Sequence, residues 1–175
     1  MAVEVVYETH STTVDNEAGR ATGWLPGELS ELGREQAARL GERRRDDGLA
    51  AVYTSDLARA VETAEIAFAA TTIPIIRERR LRECNYGALN GRPRDEVHAR
   101  GPDERYPGGE SWREAVERVK ELLEELTRMR DGERVLLIGH MSAWYALESR
   151  TKNLPLEDVF GTRMAWQEGW EYRLE

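Results

Sequence analysis

The chain has a single cysteine, Cys84, so no disulfide can form within it. That fits a reducing compartment and excludes the small secreted scaffolds that depend on disulfide staples. Histidine is nearly as scarce, at three residues, and no H-x-x-x-H or C-x-x-C spacing offers a ready metal cage. Basic charge is in deficit: 25 Lys and Arg stand against 33 Asp and Glu, for a net charge of -8. A bulk acidic surface argues against nucleic-acid partners and against an anionic membrane. There is no long apolar run, and the start, MAVEVVYETH, lacks the basic residues of a signal peptide. The expected location is the cytoplasm. Glycine and proline are not in excess, and 40% of the 175 residues are hydrophobic. This is an ordinary globular composition, enough for one domain over 1–175 with a sizeable core.

Strand and helix patterns alternate. Residues 2–8 read as a strand, and 10–28, with Gly19, Gly23, Pro26 and Gly27, as a long polar loop. Ser30 caps a predicted helix to Asp46, with Leu32, Ala37, Leu40 and Gly41 as its inner stripe. A strand at 50–55, a helix at 56–70 and a strand at 73–77 follow. Residues 80–110 are irregular, with a short helix at 93–99. Ser111 and Glu114 form a capping box that opens a helix to Met129, with Ala115, Val119, Leu122, Leu126 and Met129 inward. A strand at 134–140, a helix at 142–152 and one or two strands within 164–174 complete the chain. This order predicts an α/β fold with a mostly parallel sheet covered on both faces.

Two apolar strands end in histidine, His10 and His140. Ligands of open α/β sheets bind beyond the carboxyl ends of the strands. Arg59 follows the second strand and Glu83 the third, so four strands deliver His10, Arg59, Glu83 and His140 towards one edge. Each residue alone has a structural explanation; the coincidence of the four carries the argument. Imidazole attacks phosphorus and carries a phosphoryl group. Arginine grips phosphate oxygens through its fork, and a second histidine donates to the same oxygens. Glutamate protonates a leaving oxygen and then activates water. The helix starts after Ser55 and His140 are expected to offer free backbone N–H groups to an anion.

HSTTVDNEAGRATGWLPGELSELGREQA, TSDLARAVETAEI, LRECNYGALNG, GGES and VLLIGHMS occur in that order. In these segments the chain resembles the histidine phosphatase superfamily, the phosphoglycerate mutase-like clan, over nearly its whole length. The resemblance implies a three-layer α/β/α sandwich and a site that uses no metal or other cofactor. It implies His10 as nucleophile, Arg59 as phosphate clamp, Glu83 as proton donor and His140 as second histidine. Thr9, Ser11, Asn16, Thr22, Gly23 and Met141 fall at substrate-binding positions. The partner implied is a small phosphorylated substrate, and the short length looks more like the phosphatases than the mutases.

One departure stands at the nucleophile. Where the family carries R-H-G, this chain has Thr9, His10 and Ser11, preceded by Glu8 in place of an apolar residue. A charge-assisted hydrogen bond is worth ~1.5–3 kcal/mol, so its loss weakens phosphate binding roughly ten-fold or more. Several readings follow: hydroxyl donors suited to a phosphodiester, replacement of the arginine by Arg20 or Arg82, a phospho-ligand binding protein with impaired catalysis, or Glu8 turned away onto a cation. A mutase is a further alternative. A metal site built from Glu8, His10, Glu83 and His140 is opposed by Arg59 in the same cluster.

Trp112, Trp144, Trp166 and Trp170 are expected in the core or at a homodimer contact, and Trp24 beside the pocket. ERRRDDG, 42–48, reads as a solvated helix end, His98 as exposed, and Cys84 as a buried inert thiol.

Overall fold

Parallel strands buried on both faces need near-continuous apolar runs, and RVLLIG at 134–139 is one. The computed structural model describes residues 2–175. Five strands form one sheet: β1 (Val3–Thr9), β2 (Ala51–Thr54), β3 (Ile75–Arg77), β4 (Arg134–Gly139) and β5 (Trp170–Leu174), in the order β3-β2-β4-β1-β5. The first four are mutually parallel, and β5 runs antiparallel along β1.

Alternation along each strand divides the core. Val5 and Tyr7 of β1, Ala51 and Tyr53 of β2, and Val135 and Leu137 of β4 pack with α5 (Trp112–Met129) and α6 (Met141–Thr151). Val6, Val52, Leu136 and Ile138 face the other way, onto α2 (Glu31–Arg44) and α3 (Ala58–Phe68). The result is the expected α/β/α sandwich. Helix α5 starts at the predicted capping box, with Ser111 and Glu114 bonded reciprocally. Gly41 lets α2 lie against α3: a Cβ there would collide with the Ala67 carbonyl.

Some expected details change. The loop after β1 contains a turn of helix, α1 (Val14–Glu17), capped by Thr13. The short helix after Pro93, α4, spans Arg94–Val97, and α7 (Leu156–Val159) is an addition. The tail supplies one strand. Met129 is 64% exposed, outside the stripe expected of α5. Leu32 is 47% exposed and is replaced on the inner face of α2 by Gly33.

Candidate active site

The parallel register of β1 and β4 pairs Thr9 with Gly139, which sets His10 beside His140 at the carboxyl edge. The His10 amide bonds the Gly139 carbonyl at 3.0 Å, and the two imidazole rings lie 5.0 Å apart. His10 Nδ1 is 2.7 Å from the Ser11 carbonyl oxygen. A carbonyl only accepts, so Nδ1 carries the proton and Nε2 keeps its lone pair. Burial and the nearby Arg59 lower the His10 pKa to about 3, so the ring is neutral.

His140 is held at its backbone by the Tyr7 hydroxyl, which donates to its carbonyl at 2.7 Å. Arg59 Nη2 approaches His140 Nδ1 at 3.3 Å. Arginine only donates, so Nδ1 accepts and the proton sits on Nε2, which has no partner among the described residues. Burial, then Arg59 and His10, push the His140 pKa well down. Arg59 itself is 2% exposed, and it also donates to the carbonyls of Gly23 and Leu25.

Glu83 is 9% exposed and accepts from the backbone amides of Cys84, Met141 and Ser142. Burial raises its pKa above the ordinary carboxylate value, against the opposing pull of these amides and Arg59. A carboxyl biased towards its protonated form is suited to general acid work. Arg118 fixes the segment by donating to the carbonyls of Arg80, Arg82 and Glu83.

Four of the amides at the helix starts expected to be free are engaged within the chain. Those of Met141 and Ser142 hold Glu83. Those of Leu57 and Arg59 go to Ser55 Oγ and the Pro26 carbonyl. The positive end of α6 therefore serves a carboxyl of the chain itself.

All ten candidate residues line one cavity of about 650 Å³: His10, Arg59, Glu83 and His140, with Thr9, Ser11, Asn16, Thr22, Gly23 and Met141. Several also brace the loop. The Ser11 amide donates to Thr63 Oγ1, Asn16 Oδ1 accepts from the Thr13 amide, and the Thr22 hydroxyl donates to Asp15. Gly33 admits the loop that follows His10, since a Cβ there would collide with the Thr12 carbonyl. Trp24 stands behind Glu83 rather than in the wall, donating to the Glu83 carbonyl under a stacked Arg82.

Glu8 lines the cavity, but its carboxylate is engaged by two arginines. It is 3% exposed and accepts from Arg43 Nη2 at 3.1 Å and Arg44 Nε at 2.9 Å. The basic stretch at 42–48 is thus a clamp on a buried carboxylate, not a merely solvated helix end, and it offsets the negative charge that Glu8 brings. Arg82 is tied bidentately to Asp56 and is not available to the pocket. Arg20 lines the cavity, as do Arg43 and Arg94. Among the described residues, no three His, Cys, Asp or Glu side chains gather into a group that could hold a metal ion.

Sequence reasoning missed Arg43 and Arg44, Tyr7 behind His140, and the α2 face with Leu32, Gln36 and Arg39 on the cavity. The recurrence at 32, 36, 39 and 43 is helical, but its mixed chemistry hides it from an apolar-stripe search. Trp112 and Trp144 are buried as expected, whereas Trp166 is 64% exposed on the cavity. His98 lies at the surface and also lines the cavity, and Cys84 is fully buried with its thiol pKa pushed up. Among the described residues, no helix is long and apolar enough to cross a membrane.

Comparison with known proteins finds the family model "Histidine phosphatase superfamily (branch 1)" matching residues 9–168. A probable phosphoglycerate mutase GpmB of Erwinia tasmaniensis is 33% identical over 164 residues, 87% of this chain and 76% of that protein. The structure of Bacillus stearothermophilus YhfR superposes with a TM-score of 0.85 at 31% identity, covering 95% of this chain and 88% of that one. A mycobacterial glucosyl-3-phosphoglycerate phosphatase complexed with VO3 superposes with a TM-score of 0.78 at 28% identity, covering 89% and 84%.

Proposed function

The chain belongs to the histidine phosphatase superfamily, branch 1, and on that premise we propose that it hydrolyses a small phosphorylated metabolite through a phosphohistidine on His10. The observation that carries this reading is the state of His10: neutral, its Nδ1 proton tied to Ser11, its Nε2 lone pair free. Names among similar proteins, mutases and phosphatases alike, support phosphoester chemistry without naming this substrate.

In this mechanism His10 Nε2 attacks phosphorus and the ester P–O bond breaks. Glu83 gives its proton to the leaving oxygen. Arg59 and the free Nε2–H of His140 hold phosphoryl oxygens as charge builds on them. Water then attacks the phosphohistidine, Glu83 takes its proton, and the N–P bond breaks. Thr9, Ser11, Asn16, Thr22, Gly23 and Met141 surround the substrate in the same cavity. No step draws on a metal.

Thr9 favours a second reading, a binding protein of the same fold with little turnover, because it brings no charge to phosphate. One experiment separates the two. Protein with and without EDTA is given an aryl phosphate, a phosphodiester and a panel of phosphorylated metabolites, with His10→Ala alongside. EDTA-resistant turnover, lost in His10→Ala, supports the enzyme. Hydrolysis by His10→Ala at the wild-type rate sinks the mechanism. Binding without turnover supports the second reading.

A further inference from the structure

The cavity has a second arm that the chemistry above leaves unused. Leu32, Gln36, Arg39, Leu40 and Arg43 line it from a single stripe of α2. At 1.5 Å per residue that stripe runs about 16 Å. Trp166 lines the same cavity from the C-terminal segment. Leu32 and Trp166 are 47% and 64% exposed, so two large apolar side chains stand open beside the reacting groups. Among the described residues, Arg43 engages Glu8 alone, through one of its terminal nitrogens, and Arg39 pairs only with an exposed Glu35.

The arm lies on the wrong side for a leaving group. Glu83 is held by the first amides of α6, which covers one face of the sheet, while α2 covers the other. In-line displacement puts the leaving oxygen opposite His10, at its proton donor. A substituent resting on α2 therefore stays attached to phosphorus.

Charge at the reacting centre points the same way. Arg59 already donates to Gly23, Leu25 and His140, and both histidines are neutral. The residues flanking His10 in the chain, Thr9, Ser11 and Thr12, bring hydroxyls and no charge, while Arg20 and Arg94 line the same cavity from other loops. A phosphomonoester dianion presents three non-bridging oxygens and two charges. A phosphodiester presents two such oxygens and one charge, which suits the uncharged hydroxyls that flank His10 where a cation would serve a dianion.

We infer that the preferred substrate is a phosphodiester whose retained substituent is an aromatic or apolar group lying along α2, its far end meeting Arg39 and Arg43. The inference rests on the phosphohistidine reading. His10 Nε2 bonds to phosphorus, one P–O bond breaks, and Glu83 protonates the alcohol that leaves. The phosphohistidine still carries the second ester group. Water attack, with its proton taken by Glu83, breaks the N–P bond and releases a phosphomonoester.

The test compares bis(4-nitrophenyl) phosphate with 4-nitrophenyl phosphate in EDTA-treated wild type, Leu32→Trp and Arg34→Gln. Arg34 is exposed on α2 outside the cavity. Wild type is expected to favour the diester in kcat/KM by ten-fold or more. Leu32→Trp, which fills the arm, is expected to cut the diester-to-monoester ratio at least ten-fold, and Arg34→Gln to keep it. A wild type that favours the monoester, or a ratio unmoved by Leu32→Trp, overturns the inference while leaving the phosphohistidine reading intact. If neither ester turns over, the metabolite panel decides that reading, and calorimetry with diphenyl and phenyl phosphate tests the arm by itself. Tighter binding of the diester by wild type, abolished in Leu32→Trp, would support the arm; equal binding of the two would overturn it.

Discussion

Glu8 and Arg44 form a buried ion pair two residues before His10, with Arg44 Nε donating to the Glu8 carboxylate at 2.9 Å. The same guanidinium donates to Asp47 and to the Glu168 carbonyl. One side chain therefore ties β1 to the end of α2 and to the C-terminal segment that lines the cavity. Removing one partner of a buried pair leaves an uncompensated charge and costs about 3–5 kcal/mol. Arg43 still reaches Glu8, so Arg44→Met is expected at the lower end, about 3 kcal/mol. Urea unfolding checks this, with Arg34→Met as the exposed control, expected within about 0.5 kcal/mol of wild type. Equal midpoints for the two variants would show that Arg44 holds nothing.

Gly33 sets the height of the loop that follows His10. Gly33→Ala puts a methyl group into the Thr12 carbonyl, which is backbone and cannot rotate aside. Overpacking of this kind costs about 1–3 kcal/mol. Because Thr12 is two residues from His10, kcat is expected to fall with stability. Gly48→Ala makes the contrast: no atom lies near its added Cβ, and its positive φ carries a local backbone cost without touching the loop. Loss of stability in both variants but of kcat only in Gly33→Ala is the expected pattern, read by thermal melts and initial rates.

The pH profile follows from His10 and Glu83. In the proposed mechanism turnover needs a neutral His10, a state lost only as pH falls towards about 3. It also needs a protonated Glu83, whose pKa is raised by burial. Activity is therefore expected to hold through the acidic range and to fall as pH rises through the raised Glu83 value. Initial rates across pH check the limb, and Glu83→Gln should lower kcat and remove its alkaline fall. An alkaline limb that survives in Glu83→Gln would assign the proton elsewhere.

Stability should carry the opposite slope. All three histidines have folded pKa values below 6.5, so the unfolded chain takes up protons that the fold excludes. Their contribution is complete above 6.5 and is lost as pH falls below it. Glu83, raised above 4.5, contributes in the other sense: its share is complete below 4.5 and is lost as pH rises through its folded value. Three groups against one leave Tm rising from pH 4.5 to 6.5. His140→Gln is expected to flatten that rise, measured by calorimetry in matched ionic strength.

Much of the site was legible because it is delivered by strand ends. Apolar runs that stop at His10 and His140 place both residues on the carboxyl edge without knowledge of any contact. Arg59 and Glu83 follow from the same rule. Glu8 was not legible: it follows Val6 on the α2 face, and its partners lie 35 and 36 residues away. Nor was the occupation of the α6 amides, because Glu83 reaches them from 58 and 59 residues upstream. Leu32 was misplaced since its spacing matches the inner stripe, while close approach to the Thr12 loop demands Gly33 there instead.

The amino-acid order by itself determined the alternation of strands and helices, the caps at Ser30 and Ser111, and the four reactive side chains at one sheet edge. These rest on local periodicity and on the chain direction of parallel strands, which need no long-range partner. Tertiary structure alone decided which nitrogen of His10 and of His140 is free, which arginine faces which carboxylate, and that the cavity extends along α2. Those depend on atoms from distant segments meeting within hydrogen-bond distance, and on the burial that shifts their charge.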